Sequence, residues 1–399
     1  MPDDGVTVTR DDPDASYGTY LDCHGDIDGD GYADLAISSQ DDQTERQLQG
    51  RTVILHGPLA GSLRAEDADI IFDGSVGTGT NVGYVVRVAD VTADGVADLL
   101  YSLGDTYGPW SDAVPIDTDL LVVAPGPIPD GPSTAPLAGQ FWVEGEGHGE
   151  LDVADVDGDG MADLVRPELE PDAVGKHCGA IYSGADLALA GEGDRLTSAD
   201  DAMAVLGCDD FVSDTHRADK AWVARANEDL DGDGYLDVFI TTTVGSVAWQ
   251  GGAGRWSGTI EDDFKLHEDY VPCAGVRDAA FTHDDEGELL WALSLECGPS
   301  YDTWTSYFTG RVPVFQGWEW ASLSYFDDAW TWVAAEPDNQ GIDPMWRAAI
   351  PVRFSHEDGT RLWWGQPSWA SDRTDSTYDD YGRLTVYDLA TFQATPLPE

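Results

Sequence analysis

The sequence predicts an all-β protein, a β-propeller of about six, alternatively seven, four-stranded blades. Three observations carry that expectation. A nine-residue acidic string occurs four times, as DIDGDGYAD (Asp26 to Asp34), DVTADGVAD (Asp90 to Asp98), DVDGDGMAD (Asp155 to Asp163) and DLDGDGYLD (Asp229 to Asp237). The copies begin at 26, 90, 155 and 229, so successive spacings are 64, 65 and 74 residues. Short apolar or β-branched runs follow, LAISS from Leu35, LLYSL from Leu99 and VFITTT from Val238, and these read as buried strands. A unit of this length makes one small sheet that cannot cover both its faces, whereas packing against two neighbours in a ring covers both.

Taken in order, the first unit (15–75) carries the loop at 26–34 and then a strand opening on Gly50, GRTVILHG. The second (82–146) has its loop at 90–98 and the strand LLVVAPG from Leu120. The third (147–207) pairs the loop at 155–163 with GAIYSG from Gly179, and the fourth (218–270) pairs 229–237 with GSVAWQGG from Gly245. Two further units, 274–329 and 345–399, keep the glycine-opened strands GRVPVFQG (from Gly310) and GRLTVYD (from Gly382). Their loops, THDDEGELL (Thr282 to Leu290) and FSHEDGTRL (Phe354 to Leu362), retain an acid at position 5 and Gly at position 6 but not the acids at positions 1 and 9. They are not expected to hold metal. From 354 through the C-terminus and back to 26 is 71 residues, one more period, so the chain closes as a whole number of repeats in a single domain, 1–399. Residues 1–14, including TVTR (Thr7 to Arg10), are expected to pair with the last blade.

Each acidic string places oxygen side chains at positions 1, 3, 5 and 9 around a glycine at position 6. Alternate residues of a tight loop face one interior, and carboxylates converging there require a cation. The expected ligands are the side chains of Asp26, Asp28, Asp30 and Asp34 with the carbonyl of Tyr32. The other sets are Asp90, Thr92, Asp94, Asp98 and Val96; Asp155, Asp157, Asp159, Asp163 and Met161; and Asp229, Asp231, Asp233, Asp237 and Tyr235. Oxygen-only ligands on a flexible loop suit Ca²⁺, up to four ions, over zinc or a transition metal. A helix-flanked calcium loop would need Glu at position 12, where Ile37, Tyr101, Arg166 and Ile240 stand instead. The second loop is expected to bind least tightly, because Thr92 replaces an acid and Ala93 a glycine.

The order of acidic loop, apolar strand and glycine-opened strand resembles the FG-GAP repeats of integrin α-subunit propellers and the related bacterial VCBS-type repeats. The resemblance covers nearly the whole chain, and VVAPGP (Val122 to Pro127) is the nearest match to the Gly-Ala-Pro signature. It implies that each loop links the first two strands of a blade and holds Ca²⁺, and that partners dock on loops at one face of the ring. The integrin propeller has seven blades, against six counted here.

The formal charge is −56, and four calcium ions would leave about −48. Such a surface repels nucleic acid and anionic lipid, and it suits a calcium-rich medium or a basic partner. No stretch of eighteen apolar residues occurs, so no membrane insertion is expected. The chain starts at MPDDG without an apolar leader, and is expected to be a mature secreted or surface region given a new Met. Of five cysteines, Cys178 with Cys208 and Cys273 with Cys297 flank neighbouring strands, pointing to two disulfides and an oxidising compartment with Cys23 left free. The alternative is five buried thiols.

No G-x-S-x-G, H-E-x-x-H or phosphate-cradling loop is present, and His24 and His356 read as loop histidines. The expected role is a non-catalytic, monomeric binding or adhesion module for a protein or glycan ligand. A polysaccharide lyase or hydrolase on a propeller scaffold is the alternative that fold analogy alone supplies. Twelve of the fifteen tryptophans lie from Trp249 onward, in the half without metal loops. They read as core filler, or as an aromatic platform for sugar rings at Trp330, Trp332, Trp363 and Trp364.

Overall fold

The structure, a computed structural model, describes residues 7–9, 17–39, 50–73, 80–105, 120–133, 139–144, 149–168, 177–208, 221–242, 245–267, 276–283, 287–295, 311–317, 331–334, 352–354, 361–366 and 383–388. It is all-β, with mostly antiparallel sheets. After β1 (Thr7–Thr9), the first repeat supplies β2 (Tyr17–Asp22), β3 (Leu35–Ser39), β4 (Arg51–Leu55), β5 (Ser62–Arg64) and β6 (Ile70–Asp73). The second supplies β7 (Thr80–Ala89), β8 (Asp98–Asp105), β9 (Leu120–Ala124), β10 (Gly131–Ser133) and β11 (Phe141–Glu144). The third runs through β12 (Asp152–Ala154), β13 (Asp163–Pro167), β14 (His177–Tyr182), β15 (Arg195–Leu196) and β16 (Ala204–Gly207). The fourth runs through β17 (Ala221–Glu228), β18 (Asp237–Thr242), β19 (Gly245–Trp249), β20 (Gly258–Ile260) and β21 (Phe264–His267). Next come β22 (Val276–His283), β23 (Leu289–Leu295), β24 (Arg311–Gln316) and β25 (Thr331–Ala334), then β26 (Val352–Phe354), β27 (Arg361–Gln366) and β28 (Arg383–Asp388).

Each repeat folds as an antiparallel meander. The orders β2-β3-β4-β6, β7-β8-β9-β11, β12-β13-β14-β16, β17-β18-β19-β21 and β22-β23-β24-β25 are the same four-strand pattern, and β26-β27-β28 is its first three strands. The glycine-opened runs of the sequence are β4, β14, β19, β24 and β28, the third strand of each sheet, with LLVVAPG as β9. The fifth repeat reaches Ala334, past the boundary expected at 329.

A second regularity was not expected. The short strand between the third and fourth strands of a repeat adds in parallel to the outermost strand of the sheet before it, β10 on β6 and β15 on β11. The strand β20 likewise lies beside β16. In the first repeat β5 takes β1 as its parallel partner.

The chain divides into two compact units. Unit 1 comprises Met1–Glu170, Gly179–Val205 and Gly254–Ile260, and unit 2 comprises Pro171–Cys178, Leu206–Ala253 and Glu261–Glu399. Inside unit 1 the second sheet packs on both its neighbours. Leu99, Tyr101, Val122 and Ala124 join Ile54, Ile70 and Phe72 in one core, while Leu100, Leu121, Val123 and Phe141 join Leu164, Ala180, Tyr182 and Leu187 in another. Alternate residues of one strand point to opposite faces, so an unbroken apolar run is what a strand buried on both faces requires. Strands β9, β13, β14 and β18 are buried along their whole length. In unit 2 aromatic rings do the same work: Phe239 meets Phe281 at 5.2 Å between centroids, and Trp291 stacks on Phe315 at 3.9 Å.

Polar links join the first strands of neighbouring repeats. Asp22 at the end of β2 is buried and accepts the N–H of Val88 on β7 at 2.7 Å, as well as that of Cys23. In unit 2 the buried Arg225 donates to Asp278 at 2.5 Å and to the Ala279 carbonyl. Each charge here has a partner, as burial demands. Cys178 on β14 is bonded to Cys208 just after β16, as expected, and Cys23 is free. Cys273 and Cys297 lie outside the described residues. No helix among the described residues is long and apolar enough to cross a membrane.

Candidate metal centres

All four acidic strings fall where the first strand of a sheet turns into the second: between β2 and β3, β7 and β8, β12 and β13, and β17 and β18. The chain turns there because positions 4 and 6 take positive φ, for example 79° at Gly29 and 93° at Gly31. Ala93 is the exception, a non-glycine held at 55°. An L side chain in that region costs roughly 1–2 kcal/mol.

The position-1 aspartate organises each loop from inside. Asp26 accepts the N–H groups of Gly29 and Gly31, both at 2.7 Å, and of Asp30 at 3.1 Å. Desolvation works against ionisation of Asp26, but these N–H donors outweigh it and hold its carboxyl below the ordinary value. Asp90, Asp155 and Asp229 are bonded in the same manner to their own loops.

Position 9 pins the loop to the sheet. Asp34, Asp98, Asp163 and Asp237 are all buried. One oxygen accepts the N–H of position 2, from Ile27 at 2.7 Å, Val91 at 2.9 Å, Val156 at 3.0 Å and Leu230 at 2.7 Å. The other accepts a glycine N–H beyond the third strand: Gly57 at 2.9 Å, Gly126 at 3.1 Å, Gly184 at 2.8 Å and Gly251 at 2.5 Å. Burial pushes the carboxyls of Asp98 and Asp163 up to about 6 and that of Asp237 up to about 7, against the lowering effect of those N–H donors. The pinning glycines have no room for a side chain. A Cβ on Gly57, Gly126, Gly184 or Gly251 would stand 2.5, 2.4, 2.6 or 2.3 Å from the carbonyl oxygen of position 8.

Three loops gather three carboxylates each. Oxygens of Asp26, Asp28 and Asp34, of Asp155, Asp157 and Asp163, and of Asp229, Asp231 and Asp237 lie within 4.8 Å of one another. Two ligand atoms at opposite ends of a calcium shell are about 4.6–5.2 Å apart, from a Ca–O distance of about 2.3–2.6 Å, so these triads fit the ion. Carboxylates this close repel one another, less where water screens them, and a bound cation reverses the sign. These clusters could hold a metal ion.

Of the four side chains expected to converge in each of these loops, three form the triad. Asp30, Asp159 and Asp233 are not among the triad residues, and each accepts the N–H two residues on, from Tyr32 at 2.9 Å, Met161 at 2.8 Å and Tyr235 at 2.9 Å, as the triad members Asp28, Asp157 and Asp231 also do from Asp30, Asp159 and Asp233. Asp94 does the same with Val96 at 2.9 Å. The side chains of Tyr32, Met161 and Tyr235 face outward. The second loop forms no acidic triad, since Thr92 stands at position 3.

Sequence reasoning missed the pinning glycines, although each closes a quoted strand motif, HG, PG, SG or QG. It also missed the residue just before them. His56 lies 3.2 Å from Asp28, and Gln250 donates to Asp231 at 2.5 Å, so both address the position-3 acid. Among the described tryptophans, Trp249, Trp256 and Trp291 are buried, as core filler should be. Trp256 donates its indole N–H to the Val156 carbonyl in the third loop at 2.8 Å. Trp332 lies in β25, and Trp363 and Trp364 lie in β27. Trp330, His356 and the loop cores of the last two repeats fall outside the described residues. His24 is exposed on the first loop, bonded through Nδ1 to Asp22, which raises its pKa. No protein-family model matches the chain, and no curated protein matches it either.

Proposed function

We propose that the chain is a calcium-stabilised, non-catalytic binding module of the extracellular space, built as a six-bladed β-propeller of the FG-GAP and VCBS kind. The observation that carries this reading is one geometry repeated: an aspartate triad within 4.8 Å at the first turn of a meander, in three of the six meanders among the described residues. The ring rests on the six meanders and on the second sheet being packed from both sides. The place of β1 also supports it, since β1 meets β5 as β6 meets β10. That is the role of an outermost strand, and the described residues of the last repeat supply only its first three strands.

In this reading the ions are structural. Each would sit on a loop already tied to its sheet through the position-9 pin, with the carbonyls of Tyr32, Met161 and Tyr235 and water completing a shell of six to eight oxygens. The disulfide between Cys178 and Cys208 favours an oxidising compartment. The partner would be a protein or a glycan, because the charge of −56 disfavours nucleic acid.

Melting with calcium and with chelator tests the metal role. At a free concentration of about 100 times Kd, each filled site adds roughly 2.7 kcal/mol. A melting temperature indifferent to chelator refutes it. A glycan array and a cell-binding assay, each run with and without calcium, separate glycan from protein ligands. Release of unsaturated products from acidic polysaccharides would overturn the non-catalytic reading.

A further inference from the structure

The second loop differs from the other three by more than one missing charge. Thr92 donates its hydroxyl to Asp98 Oδ1 at 3.2 Å, and its N–H to Oδ2 at 2.9 Å. Val91 gives a second N–H to Oδ2 at 2.9 Å, and Gly126 gives one to Oδ1 at 3.1 Å. Asp98 thus accepts four hydrogen bonds. An ionised carboxylate has about four lone-pair sites, so none remains to bind a cation. By comparison Asp34 accepts from Ile27 and Gly57, and Asp237 from Leu230 and Gly251. Asp163 accepts from Val156, Asp157 and Gly184.

We infer that the second loop closes on a hydroxyl in place of an ion, and that Thr92 is the residue that excludes calcium from it. The inference rests on the calcium reading of the other three loops. The hydroxyl bridges positions 3 and 9, the two positions that a cation would otherwise join. The loop is also braced from outside, since Ala97 donates its N–H to the Asp26 carbonyl of the first loop at 2.9 Å. The chain therefore takes three ions tightly, and the loop at 90–98 keeps its shape with or without calcium.

Calcium stoichiometry of the full chain, measured by equilibrium dialysis, tests this. Three tight ions are expected, falling to two in Asp26→Asn, staying at three in Asp90→Asn and rising to four in Thr92→Asp. Four ions in the parent chain, loss of one in Asp90→Asn, or three in a folded Thr92→Asp would overturn the inference while leaving the calcium reading intact. No bound calcium in the parent chain would instead remove the calcium reading itself. Thr92→Val guards against a Thr92→Asp variant that fails to fold. It should bind three ions and lower the melting temperature equally in calcium and in chelator. A drop seen only in calcium would show that the hydroxyl had been serving an ion.

Discussion

Replacing Gly251 by alanine tests the pin more sharply than removing an aspartate, because it adds one carbon and no charge. The new Cβ would lie 2.3 Å from the Leu236 carbonyl oxygen, 2.9 Å from Tyr235 Cβ and 3.0 Å from the Leu236 carbonyl carbon. Two of those three atoms are backbone, so relief requires the loop and the strand end to part. Parting them stretches the Gly251 N–H bond to the buried Asp237 carboxylate, now 2.5 Å long. A hydrogen bond to a charged group contributes about 1.5–3 kcal/mol and overpacking costs about 1–3 kcal/mol, so a loss of about 3–5 kcal/mol is expected. Gly234 in the same loop is the control. It sits at φ 93° with nothing within 4 Å of its would-be Cβ, so Gly234→Ala carries only backbone strain of about 1–2 kcal/mol. Urea unfolding in chelator compares the two without an ion. Midpoints for the two variants that agree within error would show that the close approach does not hold the loop.

Two further outcomes follow from the same geometry. Asp98, Asp163 and Asp237 have folded pKa values of about 6, 6 and 7, above an ordinary carboxyl, so the folded chain holds more protons than the unfolded one between pH 4 and 7. In chelator, stability should therefore be greatest near pH 4 and fall as pH rises through that window. Calcium needs the ionised carboxylates, so the rise in melting temperature that it causes should grow between pH 4.5 and 7.5; a constant rise would contradict the burial account. Removing the Cys178–Cys208 bond, which spans 30 residues, should cost about 3–4 kcal/mol by loop entropy. Urea midpoints of the Cys178→Ser, Cys208→Ser double variant check this, and an unchanged midpoint would refute it.

Much of this structure was legible in the chain because the repeat supplied its own controls. Four copies of one string marked the first turn of four sheets, and the runs from Leu35, Leu99 and Val238 proved to be the strands that follow. The Cys178–Cys208 pair was legible because two cysteines flanked strands that had to be adjacent. The division of labour inside the loop was not legible. Counting acids cannot tell that Asp30 turns to the Tyr32 N–H whereas Asp34 reaches from the sheet to Ile27 and Gly57. That depends on which backbone donors converge on each carboxylate, a property of three segments meeting in space. The added strand β10 was hidden for the same reason: Gly131–Ser133 is short and carries no alternation, and its pairing with β6 depends on the neighbouring sheet.

That borrowed strand alters what counts as a separable piece of the molecule. An outermost strand offers a row of unsatisfied N–H and C=O groups, a template for unwanted association. Here β6, β11 and β16 have that row covered by the repeat that follows each in the chain. A fragment cut at a sequence-repeat boundary would bare one such margin while leaving its cover behind, unpaired, on the other piece. Trimmed versions of this protein should accordingly aggregate when cut between repeats, and a soluble fragment would have to carry the next repeat as far as its short parallel strand.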